Sequence, residues 1–238
     1  MNEIKKLPHS FYIDLIKNDI KFSFARFGDA EVLCMFNNKE ISQNADGCHF
    51  SDDLTEPMKQ IFRNNYNYYH ASLDCTFWNH GPHRGEEFKK FIEETCPDIT
   101  FFYGELWYET EHIVELIQAI SPHNPCFIGG KHIENMKYMK GMGEIEFIET
   151  PTIDAYNRFD KIYTAILEKY INGSRMFCFS AGYVSKLLID KLFPIIGKEA
   201  FLLDFGSCFD PYCGVLSRAG QKLHGFEKYQ PFTNKKLL

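Results

Sequence analysis

The segment FSFARFGDAEVLCMF, residues 22–36, joins a strand to a helix through an acidic turn. Phe22 and Phe24 alternate with small residues, which is the period-two pattern of a strand. Apolar residues then recur at helical spacing, at Val32, Leu33, Met35 and Phe36. Gly28 permits a tight turn between the two elements, and Asp29 is placed to cap the helix. Ligands of open α/β sheets bind at the carboxyl ends of strands, so this turn is the first candidate site.

The turn carries two carboxylates, Asp29 and Glu31, one residue apart. Such acids can converge on one point, and a hard divalent cation shared with substrate phosphates relieves their repulsion. Arg26 supplies a planar guanidinium that can hold a phosphate oxygen. In the structural alternative, Asp29 only caps the helix, Glu31 faces the helix dipole and Arg26 pairs with them. The spacing by itself favours this structural interpretation.

Six further apolar segments predict strands, beginning near residues 66, 99, 126, 145, 176 and 201. Helical periodicity fills most of the intervals between them, and it predicts a first helix capped by Ser10, a helix after the Gly129–Gly130 turn and a helix from Pro151. Strands that alternate with helices predict an α/β fold with a mostly parallel, Rossmann-like sheet flanked by helices. The length of 238 residues fits a single domain, 1–238, with an irregular, loop-rich lobe. The polar tail at 225–238 is expected to be loosely ordered.

Four predicted strand ends place glycine beside polar groups. They are the ends at Gly28, at Gly129 with Gly130 and Lys131, at Ser180 with Gly182, and at Asp204 with Gly206. Backbone amides at a helix start can hold a phosphate. Each end alone is an ordinary turn, but four on one edge of a sheet would form a nucleotide cleft.

Charge, cysteine spacing and hydropathy argue against several classes of protein. A formal net charge of −6 argues against a protein that coats nucleic acid non-specifically. Eight cysteines without a CxxC pair argue against a zinc site. No apolar segment is long enough to span a bilayer. We expect no signal peptide, because Lys5 and Lys6 lead into Pro8 and His9 rather than into an apolar run. We therefore expect a cytoplasmic protein with free thiols, in the host cytoplasm if the source is viral.

The acidic turn is similar to a known family signature. RFGDAE, at residues 26–31, resembles the RFGDGE signature of the GT-D class of glycosyltransferases, with Ala30 in place of the middle glycine. The resemblance implies a GT-D-like fold in which Asp29 and Glu31 bind Mn²⁺ or Mg²⁺ and the diphosphate of a nucleotide-sugar. It also implies that Arg26 and Gly28 lie against the donor.

Two further patches resemble the same family. PTIDAY, at residues 151–156, and FDKI, at residues 159–162, are similar to its proline, Asn-Ala-Phe and Tyr-Asp-x-Ile pattern. Asp154 stands where the family usually has asparagine, and the resemblance places it among the nucleotide contacts. Asp204 and Gly206 resemble the late Asp-x-Gly strand end of the family. The matching patches are short, although they are spread over most of the chain.

The predicted reaction is transfer of a hexose or pentose, most simply from a UDP-sugar, to an acceptor hydroxyl. The acceptor is a glycan or glycoconjugate, or a hydroxymethylated base of viral DNA. The alternatives are a metal-dependent phosphoesterase or nuclease, with Asp204 and Asp210 as further acids, and a nucleotide-binding module without catalysis. Neither an inverting nor a retaining course is indicated.

The irregular segment 74–84, DCTFWNHGPHR, is the predicted acceptor side. Loops rich in tryptophan, histidine and arginine on a rigid scaffold often contact ligands, so we expect Trp78, His80 and Arg84 to line the acceptor. In the alternative, Trp78 only packs on the core. An inverting reaction needs a general base, for which the loops supply His80, His83 and Glu105.

Overall fold

The described part of the chain forms a sheet of seven strands, as the sequence predicts. The computed structural model describes residues 4–36, 49, 52–72, 84–104 and 110–237. The strands are β1 Ser23–Phe27, β2 Tyr69–Ser72, β3 Phe101–Tyr103, β4 Cys126–Gly129, β5 Glu146–Glu149, β6 Met176–Ser180 and β7 Phe201–Asp204. Every pairing between them is parallel, so the predicted α/β class is confirmed.

The strand order is β3-β2-β1-β7-β6-β4-β5. The chain moves outward from β1 to β3 on one side, and β4 to β7 fill the other side. The order therefore reverses between β1 and β7, where Phe24 pairs with Leu203. In open parallel sheets the crevice at such a reversal is the usual ligand site. The acidic turn after β1 opens into this crevice.

Helices cover both faces of the sheet. They are α1 His9–Lys17, α2 Asp29–Met35, α3 Asp52–Asn64, α4 Gly85–Thr95, α5 Ile113–Ile120, α6 Phe159–Ile171, α7 Val184–Ile196 and α8 Ala219–His224. Alternate side chains of each strand point to opposite faces. Thus Phe177 of β6 packs in the cluster beneath α2, α3, α4, α6 and α7, whereas Cys178 packs beneath α1 and α5.

The core beside the candidate site is aromatic and fully buried. Phe24 and Phe27 of β1 are completely buried, on opposite faces of the sheet. Burial of a phenylalanine side chain contributes about 1.5–3 kcal/mol relative to its exposure to water. Both faces therefore anchor β1, and the turn that follows it is held on a rigid strand.

Helix boundaries depart from the predictions in three places. α1 begins at His9, after Pro8, rather than after a cap at Ser10. The helix predicted after Gly130 is a 3-10 helix, Lys131–Tyr138. The helix predicted from residue 151 starts later, because Asp154 has a left-handed φ of 54° that a right-handed helix excludes. A 3-10 turn, Ala155–Arg158, precedes α6.

The tail has defined contacts. Two 3-10 turns, Phe226–Lys228 and Gln230–Phe232, occupy the segment that the sequence suggests is loosely ordered. The Lys140 N–H donates to the Phe232 carbonyl at 2.9 Å, and the Asn234 N–H donates to the Tyr138 carbonyl at 2.8 Å. Tyr229, Thr233 and Leu237 are buried. The tail therefore docks on the end of the Lys131–Tyr138 helix.

The described cysteines, Cys34, Cys96, Cys126, Cys178, Cys208 and Cys213, are buried free thiols. Across the described residues, no helix combines the length and the hydropathy needed to cross a membrane.

Candidate active site

The turn after β1 is built as a helix start. Gly28 has φ −116° and ψ −167°, an extended conformation that any residue adopts, so the turn does not depend on the conformational freedom of glycine. Its N–H donates to Glu31 Oε2 at 2.7 Å. The Ala30 N–H donates to Asp29 Oδ1 at 2.9 Å. Both acids thus satisfy backbone donors that the first turn of α2 leaves without partners in the helix.

A buried ammonium group lies beneath the turn. Nζ of Lys186, on α7, is 3.0 Å from Glu31 Oε1 and 3.0 Å from Asp204 Oδ2. It also donates to the Gly182 carbonyl at 3.0 Å. An ammonium has three N–H donors, and these three acceptors use all of them. All three charged side chains are less than 10% exposed, at 6% for Lys186, 9% for Glu31 and 0% for Asp204.

The charges in this cluster hold one another ionised. Burial by itself raises the pKa of Glu31, but the Lys186 charge and the Gly28 N–H outweigh it and bring that pKa below its ordinary value. Burial lowers the pKa of Lys186, but the carboxylates of Asp204 and Glu31 outweigh it and raise that pKa. The cluster is therefore an ion-paired network at neutral pH.

Arg26 and Asp204 tie three strand ends together. The Asp204 carboxylate accepts the Gly206 N–H at 2.9 Å and the Arg26 N–H at 3.1 Å. The Arg26 side chain is 9% exposed and donates through Nε to the Gly104 carbonyl at 2.6 Å. Its Nη1 donates to the Phe205 carbonyl at 3.3 Å. These contacts fasten the guanidinium to backbone, and the predicted phosphate contact of Arg26 stays a prediction.

A divalent ion held by both Asp29 and Glu31 does not fit this arrangement. Such an ion requires carboxylate oxygens from both residues at one point. Glu31 turns inward, where its two oxygens meet the Gly28 N–H and the Lys186 ammonium. Asp29 lies at the half-buried mouth of the turn. The two acids thus differ in environment, whereas the family resemblance implies that they act together on one ion.

The ends of β4 and β6 form the second part of the edge. Gly129 pairs with Ser180 in the sheet, and a Cβ on Gly129 would lie 3.0 Å from the Ser180 carbonyl oxygen. A side chain at this position would therefore crowd the Ser180 carbonyl and the Ile133 side chain. The Ser180 hydroxyl is buried and has no hydrogen-bond partner in the part of the chain that the structure describes. Gly182 has φ +59°, and a Cβ there would meet nothing within 4 Å. Space for a ligand is present at this point.

Two other residues predicted to contact the nucleotide-sugar, Lys131 and Asp154, have exposed or partly exposed side chains. Lys131 is 67% exposed, and its Nζ pairs with Glu134 at 2.8 Å. Asp154 accepts the backbone N–H of His49 at 2.9 Å and lies 2.9 Å from its Nδ1. The His49 N–H, its ring and its charge lower the pKa of Asp154. The described contacts of both residues are thus with other parts of the chain, and a donor contact stays a prediction.

The predicted acceptor side is described only at Arg84. That residue precedes α4 in a left-handed conformation, with φ 53°, and its Nη1 donates to Glu87 at 2.6 Å. Trp78, His80, His83 and Glu105 lie outside the described residues. Their predicted roles are therefore neither supported nor opposed.

The structure also reveals a histidine–aspartate pair at this edge. Nε2 of His132 lies 2.9 Å from Asp210 Oδ1. The Ser217 hydroxyl donates to the other oxygen of Asp210 at 2.6 Å. Close by in the chain, Arg218 Nε donates to the Ser207 hydroxyl at 2.9 Å. Sequence reasoning did not pair these residues because 78 positions separate His132 from Asp210. Their only local signals are the Gly-Gly turn before His132 and the turn residues around Asp210.

A second polar cluster lies where α1 and α5 begin. Ligand atoms of His9, His112 and Glu115 lie within 4.8 Å of one another, which is a grouping that could hold a metal ion. The two imidazoles are stacked, with centroids 4.3 Å apart. Lys17 donates to Glu115 at 2.9 Å. Burial lowers the pKa of His9 to about 4, with a further contribution from His112, so that this ring is neutral. Helices α1 and α5 pack on the face of the sheet opposite α2 and α7.

Comparison with known proteins identifies the fold. The chain resembles the structure of a DUF1792 glycosyltransferase from Streptococcus sanguinis, with a TM-score of 0.64 over 88% of this chain and 84% of the other, at 17% identity. It also resembles a structure of domain of unknown function 1792 that is described as a distinct glycosyltransferase fold. That match has a TM-score of 0.58 over 88% and 80% of the two chains, at 17% identity.

The chain has the fold of these glycosyltransferases. A selenomethionine form of DUF1792 matches over 99% of this chain and 92% of its own, with a TM-score of 0.59 and 15% identity. The GT-D-like fold that the RFGDAE signature implies is thereby confirmed. No protein-family model matches the sequence. No curated protein matches it either.

Proposed function

We propose that the protein transfers a sugar from a nucleotide-sugar, with a UDP-sugar as the first candidate, to an acceptor hydroxyl. The observation that carries the proposal is the sheet edge from the β1–β7 reversal to the neighbouring end of β6. This edge combines a helix start, a buried Ser180 hydroxyl without a hydrogen-bond partner among the described residues, and open space beside Gly182. The glycosyltransferase fold of the neighbours supports the same conclusion.

The donor lies, in this proposal, across the ends of β1, β6 and β4. Helix starts and backbone amides favour the negative charge of a diphosphate. The Ser180 hydroxyl supplies a hydrogen-bond donor that has no partner among the described residues. Ion pairing of Glu31 with Lys186 removes one negative charge from the neighbourhood of the diphosphate.

The acceptor is, in this proposal, a glycan or glycoconjugate rather than a hydroxymethylated base of viral DNA. A net charge of −6 disfavours approach to a polyanion. The hydrolase alternative is less well supported, because each oxygen of Asp204 and of Asp210 already accepts a hydrogen bond or an ion pair.

Binding of donors tests the proposal. Isothermal titration with UDP, GDP and UDP-sugars is expected to give saturable binding to the wild-type chain, with the UDP compounds tightest. Ser180→Ala should weaken UDP-sugar binding by about 5- to 10-fold, the value of roughly one hydrogen bond. Stability should hardly change, because the hydroxyl has no described partner to lose.

Ser23→Ala is the matched control. Ser23 opens β1, and its hydroxyl is likewise buried without a partner among the described residues. It lies at the opposite end of a parallel strand from the candidate site, so its loss should leave donor affinity unchanged. Equal effects of the two variants would count against a donor site at Ser180. If the chain binds the nucleotide-sugar but releases no UDP, either with an acceptor or by hydrolysis with water, a binding module is indicated instead.

A further inference from the structure

His132 is held at the candidate active site by an arrangement that suits proton transfer. It is the second residue of the Lys131–Tyr138 helix and follows the Gly129–Gly130 turn that ends β4. A Cβ on Gly130 would lie 3.1 Å from His132 Nδ1 and 3.2 Å from the Thr152 hydroxyl. The Nδ1 and Cε1 atoms of the ring therefore lie beside the Gly130 turn, at the carboxyl end of β4. The side chain is 22% exposed, which leaves it accessible to a substrate.

Asp210 determines which ring nitrogen carries the proton. Its Oδ1 lies 2.9 Å from His132 Nε2, and its Oδ2 accepts the Ser217 hydroxyl at 2.6 Å. A carboxylate accepts hydrogen bonds, so Nε2 carries the proton and Nδ1 retains its lone pair. Among the described residues Nδ1 has no hydrogen-bond partner. A carboxylate that orients an imidazole in this way also stabilises the imidazolium that forms when the ring takes up a proton.

We propose that His132 is the general base that deprotonates the acceptor hydroxyl, with Asp210 as its positioning residue, and that transfer inverts the anomeric configuration. The inference rests on the proposed function. His132 Nδ1 takes the hydroxyl proton as the acceptor oxygen forms its bond to the anomeric carbon. The bond between that carbon and the diphosphate oxygen breaks, and its electron pair leaves with the diphosphate. The proton on His132 is later released to solvent.

Variants of His132 test the assignment by kinetics. His132→Gln is expected to lower kcat for transfer by about 100-fold or more, the usual contribution of a general base. UDP affinity, measured by calorimetry, should stay within about twofold, because the ring acts on the acceptor oxygen rather than on the diphosphate. The acidic limb of the pH profile of kcat/KM should disappear. Asp210→Asn should lower kcat by at least about tenfold, since an amide can donate to Nε2 and favour the other tautomer.

His123→Gln is the matched control. Its side chain is 19% exposed and, like His132, lies near an aspartate, with Nδ1 3.6 Å from Asp19. Its Nε2 lies 3.2 Å from the Ile16 carbonyl, next to β4 at the opposite edge of the sheet. This variant should retain wild-type kcat and the wild-type pH profile. Equal loss of activity in both variants would indicate a general effect on folding and would overturn the proposal.

Two measurements on the wild-type chain keep the test decisive if a variant folds poorly. Proton NMR of the first product should show inversion at the anomeric carbon, and retention would overturn the proposal. Nitrogen-15 NMR of the ring should show the proton on Nε2, and a proton on Nδ1 at neutral pH would overturn it. If His132→Gln turns over at the wild-type rate, the assignment of His132 as the base is overturned but the proposed function stands. Absence of turnover with every nucleotide-sugar tried removes the proposed function together with it.

Discussion

Lys186 solves an electrostatic problem at the ends of β1 and β7. Two buried carboxylates, those of Glu31 and Asp204, each have an oxygen 3.0 Å from the Lys186 Nζ. Each would be costly to bury alone, because transfer of an isolated charge from water to a protein interior is unfavourable. The lysine thus holds the helix start of α2 against α7. It also neutralises negative charge at the floor of the candidate site.

Lys186→Met is expected to lower the free energy of unfolding by about 3–5 kcal/mol, because it leaves buried carboxylates without their counter-ion. Adding Glu31→Gln should recover part of this loss, since one of the two charges is then removed. Urea denaturation of the single and double variants measures both effects. Lys191→Met is the control, because Lys191 is 45% exposed and its ion pair with Asp160 is worth little. A Lys186→Met loss below about 1 kcal/mol would contradict a buried ion-pair network.

The same network predicts how stability depends on pH. The pKa of Glu31 is lowered on folding, so its contribution is present above the unfolded value and is lost as pH falls through the folded value. The pKa of Lys186 is raised on folding, so its contribution is present below the unfolded pKa of 10.5 and is lost as pH rises through the folded pKa. Denaturation of the wild type and of Glu31→Gln across this range should differ most at neutral pH and converge in acid.

Substitution of Gly182 by alanine tests two effects, backbone strain and contact with the proposed ligand. Gly182→Ala is expected to lose about 1 kcal/mol of stability, because φ is +59°. The added methyl group points into open space, where the proposed donor lies, so UDP affinity should also fall by about tenfold. Gly173→Ala is the matched control, with φ +106° and nothing within 4 Å of its Cβ, in the turn after α6. It should show a similar stability loss and unchanged UDP affinity. Equal UDP affinity in both variants would place the donor elsewhere.

At the scale of elements, α7 carries an acid whose burial opposes folding. Asp190 is 8% exposed and accepts hydrogen bonds from Asn64 of α3 at 2.6 Å and from Tyr68 at 3.4 Å. Burial raises its pKa to about 6, and these two hydrogen bonds lower it only in part. The folded state therefore binds this proton more tightly than the unfolded state, whose value is 3.8. The resulting stability is lost as pH rises from about 4 through about 6.

Asp190→Asn should stabilise the chain at pH above about 7 by roughly 1–3 kcal/mol, because the amide keeps the shape and removes the buried charge. At pH near 4 the wild-type acid is protonated when folded, so the difference between variant and wild type should be small. Urea midpoints at the two pH values measure this change. An equal effect of the substitution at both values would show that Asp190 does not titrate between them.

Elements built from local patterns were predicted well. The continuous apolar runs of β4, β6 and β7 reflect burial on both faces of a parallel sheet, and a sequence records that burial directly. Boundaries were less accurate where one residue's backbone decides. The left-handed Asp154 delays α6, and no apolar pattern reports that conformation. Similarly, periodicity does not distinguish the 3-10 helix after Gly130 from an α-helix.

The whole molecule brings together what the chain keeps apart. The sequence identified Glu31 and Asp204 at separate strand ends, but their common partner Lys186 lies in α7 and carries no motif. The His132–Asp210 pair is equally invisible in the sequence, because it depends on how the segments after β4 and β7 pack together. Local spacing therefore predicted the edge at which the site lies. Long-range packing determines which side chains meet there, and therefore which partner each acid binds.

The overall charge predicts how the acceptor responds to salt. A net charge of −6 gives a field that repels a polyanion at long range, whereas it acts little on a neutral glycan. If the acceptor is a glycan, the acceptor kcat/KM should change less than about twofold from low to physiological salt. A DNA acceptor would instead lose affinity steeply, because release of counter-ions drives its binding. Donor affinity is measured separately by calorimetry at each salt concentration, since the diphosphate has its own salt dependence. A steep loss confined to the acceptor term would reject the glycan and select hydroxymethylated DNA.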